Sequence, residues 1–341
     1  MEARTQISVI RLEDRRMMEQ TSWPLLTPFL IFDELHKMKD WKNWLKGIFD
    51  TRPDDQHILV TGSARLETFR QTGDSLAGRF FLHRILPFTL AELRQVQAPG
   101  VGPSADDLTL LLERGGFPEP FLAKSAVQAR RWRQLYADSL IQKDVLDFGH
   151  IHDLRTMKTL FLMLRSRVGS PVSFAGIAND LRVSPTTIQK YVEILEALYV
   201  VFRVSPWSGN IARSILKEPK LYFYDTGLVD GNAGQRLENL VALSLLKHAW
   251  ALTDQEGKVT SLCYLRTKEG KEVDFCLVGD QAVQLAIEVK HSDSAISPHL
   301  WYFCERYGFA GVQLVRDLRL PADKGRVQVR DATSWLSELK L

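Results

Sequence analysis

Phe29-Leu30-Ile31-Phe32 runs straight into two adjacent carboxylates, Asp33 and Glu34. Four consecutive apolar positions predict a strand buried on both faces, the pattern of a parallel sheet, with both acids emerging at its carboxyl edge. Ile7 to Leu12 alternates weakly and predicts a strand before it; Ile58-Leu59-Val60, ending in Thr61-Gly62-Ser63, predicts one after it. Between the latter two, Trp41, Trp44, Leu45, Ile48 and Phe49 are spaced i, i+3, i+4, i+7 and i+8, the stripe of a helix lying on a sheet.

Beyond residue 95 a stretch rich in Pro, Gly, Gln and Ser reads as a linker to about residue 105, and helical spacing then takes over. Asp106–Arg114 predicts a helix that Gly115-Gly116-Phe117-Pro118 breaks, and Gln128–Phe148 a longer one carrying Arg130, Arg131 and Arg133 around Trp132. Phe174–Leu181 predicts a short helix and Arg182-Val183 a turn. Ser184 then caps a second helix, Thr186–Leu198, with Pro185 at its first position. With strands predicted over Tyr199–Val204 and Lys220–Tyr224, this is the grammar of a helix-turn-helix with a wing.

The last third predicts an amphipathic helix over Gln235–Trp250, with Glu238 near its start. Three strands follow, Leu262–Arg266, Glu272–Val278 and Val283–Lys290, joined by turns at Glu269-Gly270 and Gly279-Asp280. Alternation puts Val273, Phe275 and Leu277 on one side and Asp274 on the other. In the third strand Val283, Leu285, Ile287 and Val289 share a side, so Glu288 and Lys290 project together from the opposite one.

Composition narrows the class without changing this picture. A chain of 341 residues is too long for one ordinary core, which predicts two to four domains. With 45% hydrophobic and 25% charged residues it has an ordinary globular composition, and a net charge of +3 permits nucleic-acid binding without arguing for it. No apolar run approaches the ~18 residues of a membrane span, and the charged amino terminus is unlike a signal peptide, so a cytoplasmic location and no membrane partner are expected. Cys263, Cys276 and Cys304 fall in no Cys-x-x-Cys pair, which argues against a zinc knuckle or a disulfide framework. His150-Ile151-His152 fits no helical zinc pair. An oligomer is compatible with all of this.

Two constellations carry chemistry. A strand ending in Asp33-Glu34 has the form of the Walker B element of P-loop ATPases, in which Asp33 holds Mg²⁺ and Glu34 polarises the attacking water. Ser63, at the end of the following strand, stands where a polar side chain senses the γ-phosphate. Gly73 to Phe80 has the spacing of a phosphate loop, but Arg79 replaces the lysine and Phe80 the hydroxyl, so it is read as no such loop; Arg79 is instead a cation near a nucleotide edge. The second constellation is Asp274 on one strand and Glu288-x-Lys290 on the next, the pattern of PD-(D/E)xK nucleases. There Asp274, Glu288 and the helix residue Glu238 grip Mg²⁺, and Lys290 orients or deprotonates the attacking water.

The Phe32–Lys37 block, Thr61-Gly62-Ser63-Ala64, Leu76–Arg79 and Leu86–Leu93 together resemble a family of prokaryotic AAA-type ATPases with a carboxy-terminal domain of unknown function and a nuclease-like core. The resemblance implies an α/β multidomain fold: a partial P-loop parallel sheet over residues 1–95, a helical lid over 104–154, a winged helix over 155–225 and a restriction-endonuclease-like domain over 226–341. Members of that family carry a glycine-rich phosphate loop at the amino terminus, and this sequence starts after that point. Tight ATP binding by these residues is therefore not expected. Three functions stay open: an ATPase-family protein linked to nucleic-acid handling, a Mg²⁺-dependent nuclease with a scaffold amino-terminal half, and a non-enzymatic DNA-binding regulator. For the last, Thr186, Thr187, Gln189 and Lys190 are the reading side chains, opposed by Glu193 and Glu196.

Overall fold

The computed structural model describes residues 7–11, 27–35, 38, 40–62, 76, 78–97, 102–140, 153–207, 218–292 and 294–341. Ser63, His150 and His152 lie outside the described residues. The chain forms two compact units, Met1–Leu82 and His83–Leu341.

The first unit is a parallel sheet in the order β1 (Ile7–Arg11), β2 (Phe29–Asp33), β3 (His57–Val60). Ile7 pairs with Phe29 and Phe29 with His57, so the three strands run in step. Helix α1 (Trp41–Thr51) connects β2 to β3. Its Trp41 is buried with Leu30, Phe32 and Leu35, and Trp44 packs edge-on against Phe32 at 5.1 Å. β2 is not buried on both faces as its apolar run predicts. Leu30 and Phe32 are fully buried, but Phe29, Ile31 and Asp33 are half-buried, because α1 packs against the side that carries Leu30 and Phe32.

The second unit is built around one long helix and an eight-stranded sheet. Helices α2 (Leu90–Val96), α3 (Ala105–Arg114), α4 (Pro118–Phe121) and α5 (Ala126–Ser139) come first. α5 covers the predicted helix as far as Ser139, and residues 141–148 of that prediction lie outside the described residues. α6 (Leu154–Arg165), α7 (Phe174–Leu181) and α8 (Pro185–Ala197) follow. Ser184 accepts from the Thr187 N–H at 3.1 Å, the cap its sequence position predicts. Strands β4 (Val201–Pro206) and β5 (Lys220–Phe223) then form an antiparallel pair.

α9 (Ala233–Glu256) is longer at both ends than the predicted Gln235–Trp250, for two local reasons. Asn232 and Gln235 close a capping box at its start, and Gly257 ends it in the left-handed region at φ 66°. β6 (Thr260–Arg266), β7 (Glu272–Gly279) and β8 (Ala282–Lys290) form an antiparallel meander. α10 (Pro298–Tyr307) crosses over to β9 (Gly311–Val315), which is parallel to β8, and β10 (Ala322–Lys324), β11 (Val327–Asp331) and α11 (Ala332–Ser337) complete the chain. The sheet order is β10-β11-β9-β8-β7-β6-β4-β5. One face packs on α9 through Phe275, Leu277 and Ile287; the other packs on α10 through Val273, Cys276, Ala286, Leu300 and Phe303. No described helix is long and apolar enough to cross a membrane.

Two irregularities overturn the simple alternation. Cys263 pairs with Cys276 but Leu265 with Val273, so Asp274 and Phe275 together oppose the single residue Tyr264. Such a bulge turns two successive side chains toward one layer. Phe275 meets the Tyr222 ring at 5.3 Å, and Asp274 reaches Lys220 beside it. Val273 packs instead with Cys276 on the α10 side, not with Phe275 and Leu277. A second shift, between Leu277 and Val278, moves Val283 away from Leu285 and Ile287 and into the α10 cluster.

Candidate functional site

In the first unit Asp33 and Thr61 end neighbouring parallel strands. The Thr61 hydroxyl donates to Asp33 Oδ1 at 2.5 Å, and the Thr61 N–H donates to the Phe32 carbonyl at 2.9 Å. Glu34 follows in the left-handed region, φ 56°, which turns the chain sharply off the strand end. Arg79 is committed elsewhere. Its guanidinium forks onto the Asp50 carboxylate at 3.0 and 3.4 Å, and Asp50 lies in the last turn of α1, at the end remote from Asp33. That hydrogen bond, with the Arg79 charge, holds Asp50 below the usual carboxylate range. Asp33, Glu34 and Thr61 thus share the carboxyl edge of the sheet, and Arg79 does not join them.

In the second unit the acidic residues of α9 and β7 converge on Lys220, at the head of the strand predicted over Lys220–Tyr224. Lys220, fully buried at the start of β5, places its Nζ 2.9 Å from Glu272 Oε1, 3.5 Å from Glu238 Oε1 and 3.6 Å from Asp274 Oδ1. The Tyr264 ring lies 5.4 Å beneath the same ammonium. Burial alone would lower the Lys220 pKa; the charges of Glu238, Asp274 and Glu272 outweigh it and hold the ammonium above the ordinary lysine value. Tyr222 donates to Glu238 Oε1 at 2.7 Å, and burial and the Glu238 charge push the Tyr222 phenol up. Burial, then the Asp274 charge, raises Glu238 to about 7. Gly169, at φ 83°, closes over this carboxylate so tightly that a Cβ there would stand 2.6 Å from Glu238 Oε2.

Glu288 and Lys290 do project together, as their spacing predicts. Lys290 Nζ lies 2.8 Å from Glu288 Oε1, and Glu288 is 5% exposed with its Oε2 buried and without a hydrogen bond. Burial and the Asp274 charge raise Glu288 to about 7 against the pull of Lys290. Asp274 stands between the two groups, its Oδ2 accepting from the Val289 N–H at 2.9 Å.

The donor chemistry of Glu238, Asp274 and Glu288 suits Mg²⁺, and the orphaned Glu288 Oε2 has room in its valence for a cation. The arrangement does not. Among the described residues no three Asp, Glu, His or Cys side chains are grouped so as to hold a metal ion. The position common to Glu238, Glu272 and Asp274 is held by the Lys220 ammonium. Lys220, Glu272 and Tyr222 were not singled out by sequence; the only available signal was a lone cation at the head of an otherwise apolar strand, Lys220-Leu-Tyr-Phe223.

The helix pair α7–α8 exposes little positive charge. Gln189 donates to Glu193 at 3.0 Å on the outer face of α8, and Glu196 pairs with Arg203 at 2.8 Å. On α5, Arg130 and Arg131 are exposed while Arg133 is half-buried near Asp225, its Nη1 without a hydrogen-bond partner.

Comparison with known proteins places these units. A family model described as an AAA domain matches residues 3–94, and two described as domains of unknown function, DUF8612 and DUF4143, match residues 105–237 and 233–329. The matches at the two ends support an AAA-type family with a carboxy-terminal domain of unknown function. An uncharacterized protein of Mycobacterium tuberculosis is 31% identical over 258 residues, covering 73% of this chain and 56% of the relative. One from Methanocaldococcus jannaschii is 25% identical over 289 residues, 78% of this chain and 63% of its own length, and one from Haemophilus influenzae 25% over 264 residues, 72% and 62%. The chain thus spans little more than half to under two thirds of these relatives. No solved structure matches.

Proposed function

We propose that the chain is an AAA-type ATPase-family protein in which the first unit supplies the metal- and water-handling side of a nucleotide site and the second unit is an appended nucleic-acid-handling module. The observation that carries the reading is the hydrogen bond from Thr61 to Asp33 across the carboxyl ends of two adjacent parallel strands. A Walker B aspartate and a sensor hydroxyl need that juxtaposition, with Asp33 toward the Mg²⁺ shell and Glu34 toward the water. The phosphates of ATP also require a loop of backbone N–H groups and a lysine, and no Gly-x-x-x-x-Gly-Lys-Ser/Thr occurs in the 341 residues. These residues therefore bind Mg-ATP weakly, and bound nucleotide would supply the phosphoanhydride whose hydrolysis Asp33 and Glu34 are placed to assist. Isothermal titration of the chain with Mg-ATP tests this: no heat of binding below about millimolar is expected, and micromolar affinity overturns the impaired-site reading.

The second unit supports a winged-helix and nuclease-like reading. The run α9, β6-β7-β8, α10, β9, with β9 parallel to β8, and the set Glu238, Asp274, Glu288 and Lys290 favour it. The helices α6–α8 with the β4–β5 hairpin favour a winged helix, offering Thr186, Thr187, Gln189 and Lys190 outward. If the module cleaves, cutting of DNA or RNA needs a divalent ion and is lost in both Asp274→Ala and Lys290→Ala; absence of cutting under Mg²⁺ and Mn²⁺ removes the nuclease reading. If it only binds, a gel-shift complex weakens steeply with salt, and a salt-insensitive shift excludes that role.

A further inference from the structure

We infer that Lys220 is a resident cation that takes the place of a divalent metal in the acidic cluster of the second unit, so that the cluster is complete without one. The inference rests on reading residues 233–329 as nuclease-like, a fold whose carboxylates otherwise call for metal. Lys220 is fully buried, and its ammonium touches three carboxylates, two of them among the three predicted metal ligands. The Tyr264 ring supplies a fourth wall. Nothing about this socket is accidental in shape: Tyr222 fixes Glu238 from one side, Gly169 closes over it, and the bulge at Asp274-Phe275 turns Asp274 inward to meet the lysine.

Charge accounting agrees. Glu238, Glu272, Asp274 and Glu288 face Lys220, Lys290 and Arg266, which pairs with Glu272 at 3.2 Å. With every group ionised, four carboxylates against three cations leave a single negative charge, and protonation of Glu238 or Glu288, both raised to about 7, brings it to zero. A divalent ion would reverse that sign and set two positive charges beside a buried ammonium with nowhere to move, which low local polarity penalises heavily. A neutral side chain at position 220 would instead leave three carboxylates crowded around a vacant centre, the condition under which a divalent oxygen-ligand site forms. Lys220 comes from β5, outside the strands that bear the nuclease-like residues, and so converts the site from across the sheet.

The test uses the full chain and Mn²⁺, followed by electron paramagnetic resonance of the free ion. Wild type is expected to bind no Mn²⁺ through this cluster, so that Asp274→Asn leaves its titration unchanged. Lys220→Met, which keeps the aliphatic stem, is expected to gain a site with Kd on the order of 10⁻⁴ M, lost again when Asp274→Asn is added. Near-UV circular dichroism establishes that the variant is folded, and the wild-type comparison stands even if it is not. Mn²⁺ binding by wild type that Asp274→Asn abolishes overturns the inference and leaves the nuclease-like reading in place. A folded Lys220→Met that binds no Mn²⁺ overturns both.

Discussion

The side chain of Asn239 satisfies both backbone groups of Phe223: its Oδ1 accepts from the Phe223 N–H at 2.7 Å and its Nδ2 donates to the Phe223 carbonyl at 2.9 Å. It thereby acts as one more strand residue beside β5, projected from α9, and it is fully buried. Asn239→Leu leaves a donor and an acceptor unpaired in the core at about 1–3 kcal/mol each. Urea unfolding is expected to show a loss of roughly 2–4 kcal/mol. A change under about 0.5 kcal/mol would mean that the Phe223 groups find other partners.

Glu238 and Glu288 make stability pH-dependent. Both have pKa values near 7 in the fold against an ordinary 4.5. The folded chain therefore holds protons that the unfolded chain has released, and the stability these groups contribute is present below 4.5 and lost as pH rises through 7. Lys220, held above its ordinary value, stays charged throughout that window and adds no slope to it. At about 1.4 kcal/mol per pH unit, moving each carboxyl from 4.5 to about 7 makes the loss across the window on the order of 3 kcal/mol per group. Tm measured from about pH 5 to 8 should fall accordingly, and Glu238→Gln with Glu288→Gln should make the curve shallower, leaving the slope that burial of Glu196, raised to about 7, and of Asp225, raised to about 6, contributes; a Tm that rises over this range contradicts the assignment.

Two glycines at positive φ should behave differently. Gly115, φ 86°, ends α3 where a Cβ would stand 2.1 Å from Asp225 Oδ1, whereas Gly257, φ 66°, ends α9 with nothing within 4 Å. Gly257→Ala meets backbone strain alone, about 1 kcal/mol. Gly115→Ala adds displacement of a buried carboxylate and should cost roughly 3 kcal/mol or more. Equal midpoints for the two variants in denaturant would show that the Asp225 contact yields freely.

Lys247 is 8% exposed, with Nζ 2.6 Å from Glu92 Oε1 and 2.9 Å from the Pro87 carbonyl. Glu92 also accepts from the Thr89 N–H at 2.8 Å, so one carboxylate both caps α2 and neutralises α9. Glu92→Gln leaves the lysine buried against a neutral partner, while Lys247→Met in the same background removes the problem. A double-mutant cycle should therefore return a coupling of about 1–2 kcal/mol, reduced from a fully buried pair because Glu92 is partly exposed. A coupling near zero would place the stabilisation in the Pro87 contact instead.

Much of the second unit is legible in its sequence because local signals agree with the packing. Ser184-Pro185 starts α8 where capping chemistry requires it, and the alternation over Leu285–Val289 puts Leu285, Ile287 and Val289 on the α9 side, although Ala286 and Glu288 opposite them are buried as well. Asp33 and Glu34 emerge at a strand end as an apolar run ending in acids predicts. What escaped was non-local or irregular. No periodicity announces the bulge that turns Asp274 to the same layer as Phe275, because the extra residue is defined only against Tyr264 on the partner strand. Lys220 reads as an ordinary strand head until Glu238, Glu272 and Asp274 are brought around it by chain segments distant in sequence. Arg79 has the composition of a nucleotide contact, and only tertiary structure reveals its fork onto Asp50.

The strand β4 belongs to two structures at once: it pairs antiparallel with β5 along Val201–Val204 and parallel with β6 through Ser205 and Pro206. A hairpin that ended free would let its helices tilt as a separate body, hinged at the chain crossing. Here Ser205 and Pro206 join the hairpin to the sheet whose strands hold Asp274 and Glu288, so the hairpin and the acidic cluster share one backbone ladder, bent at the bulge that turns Asp274 toward Lys220.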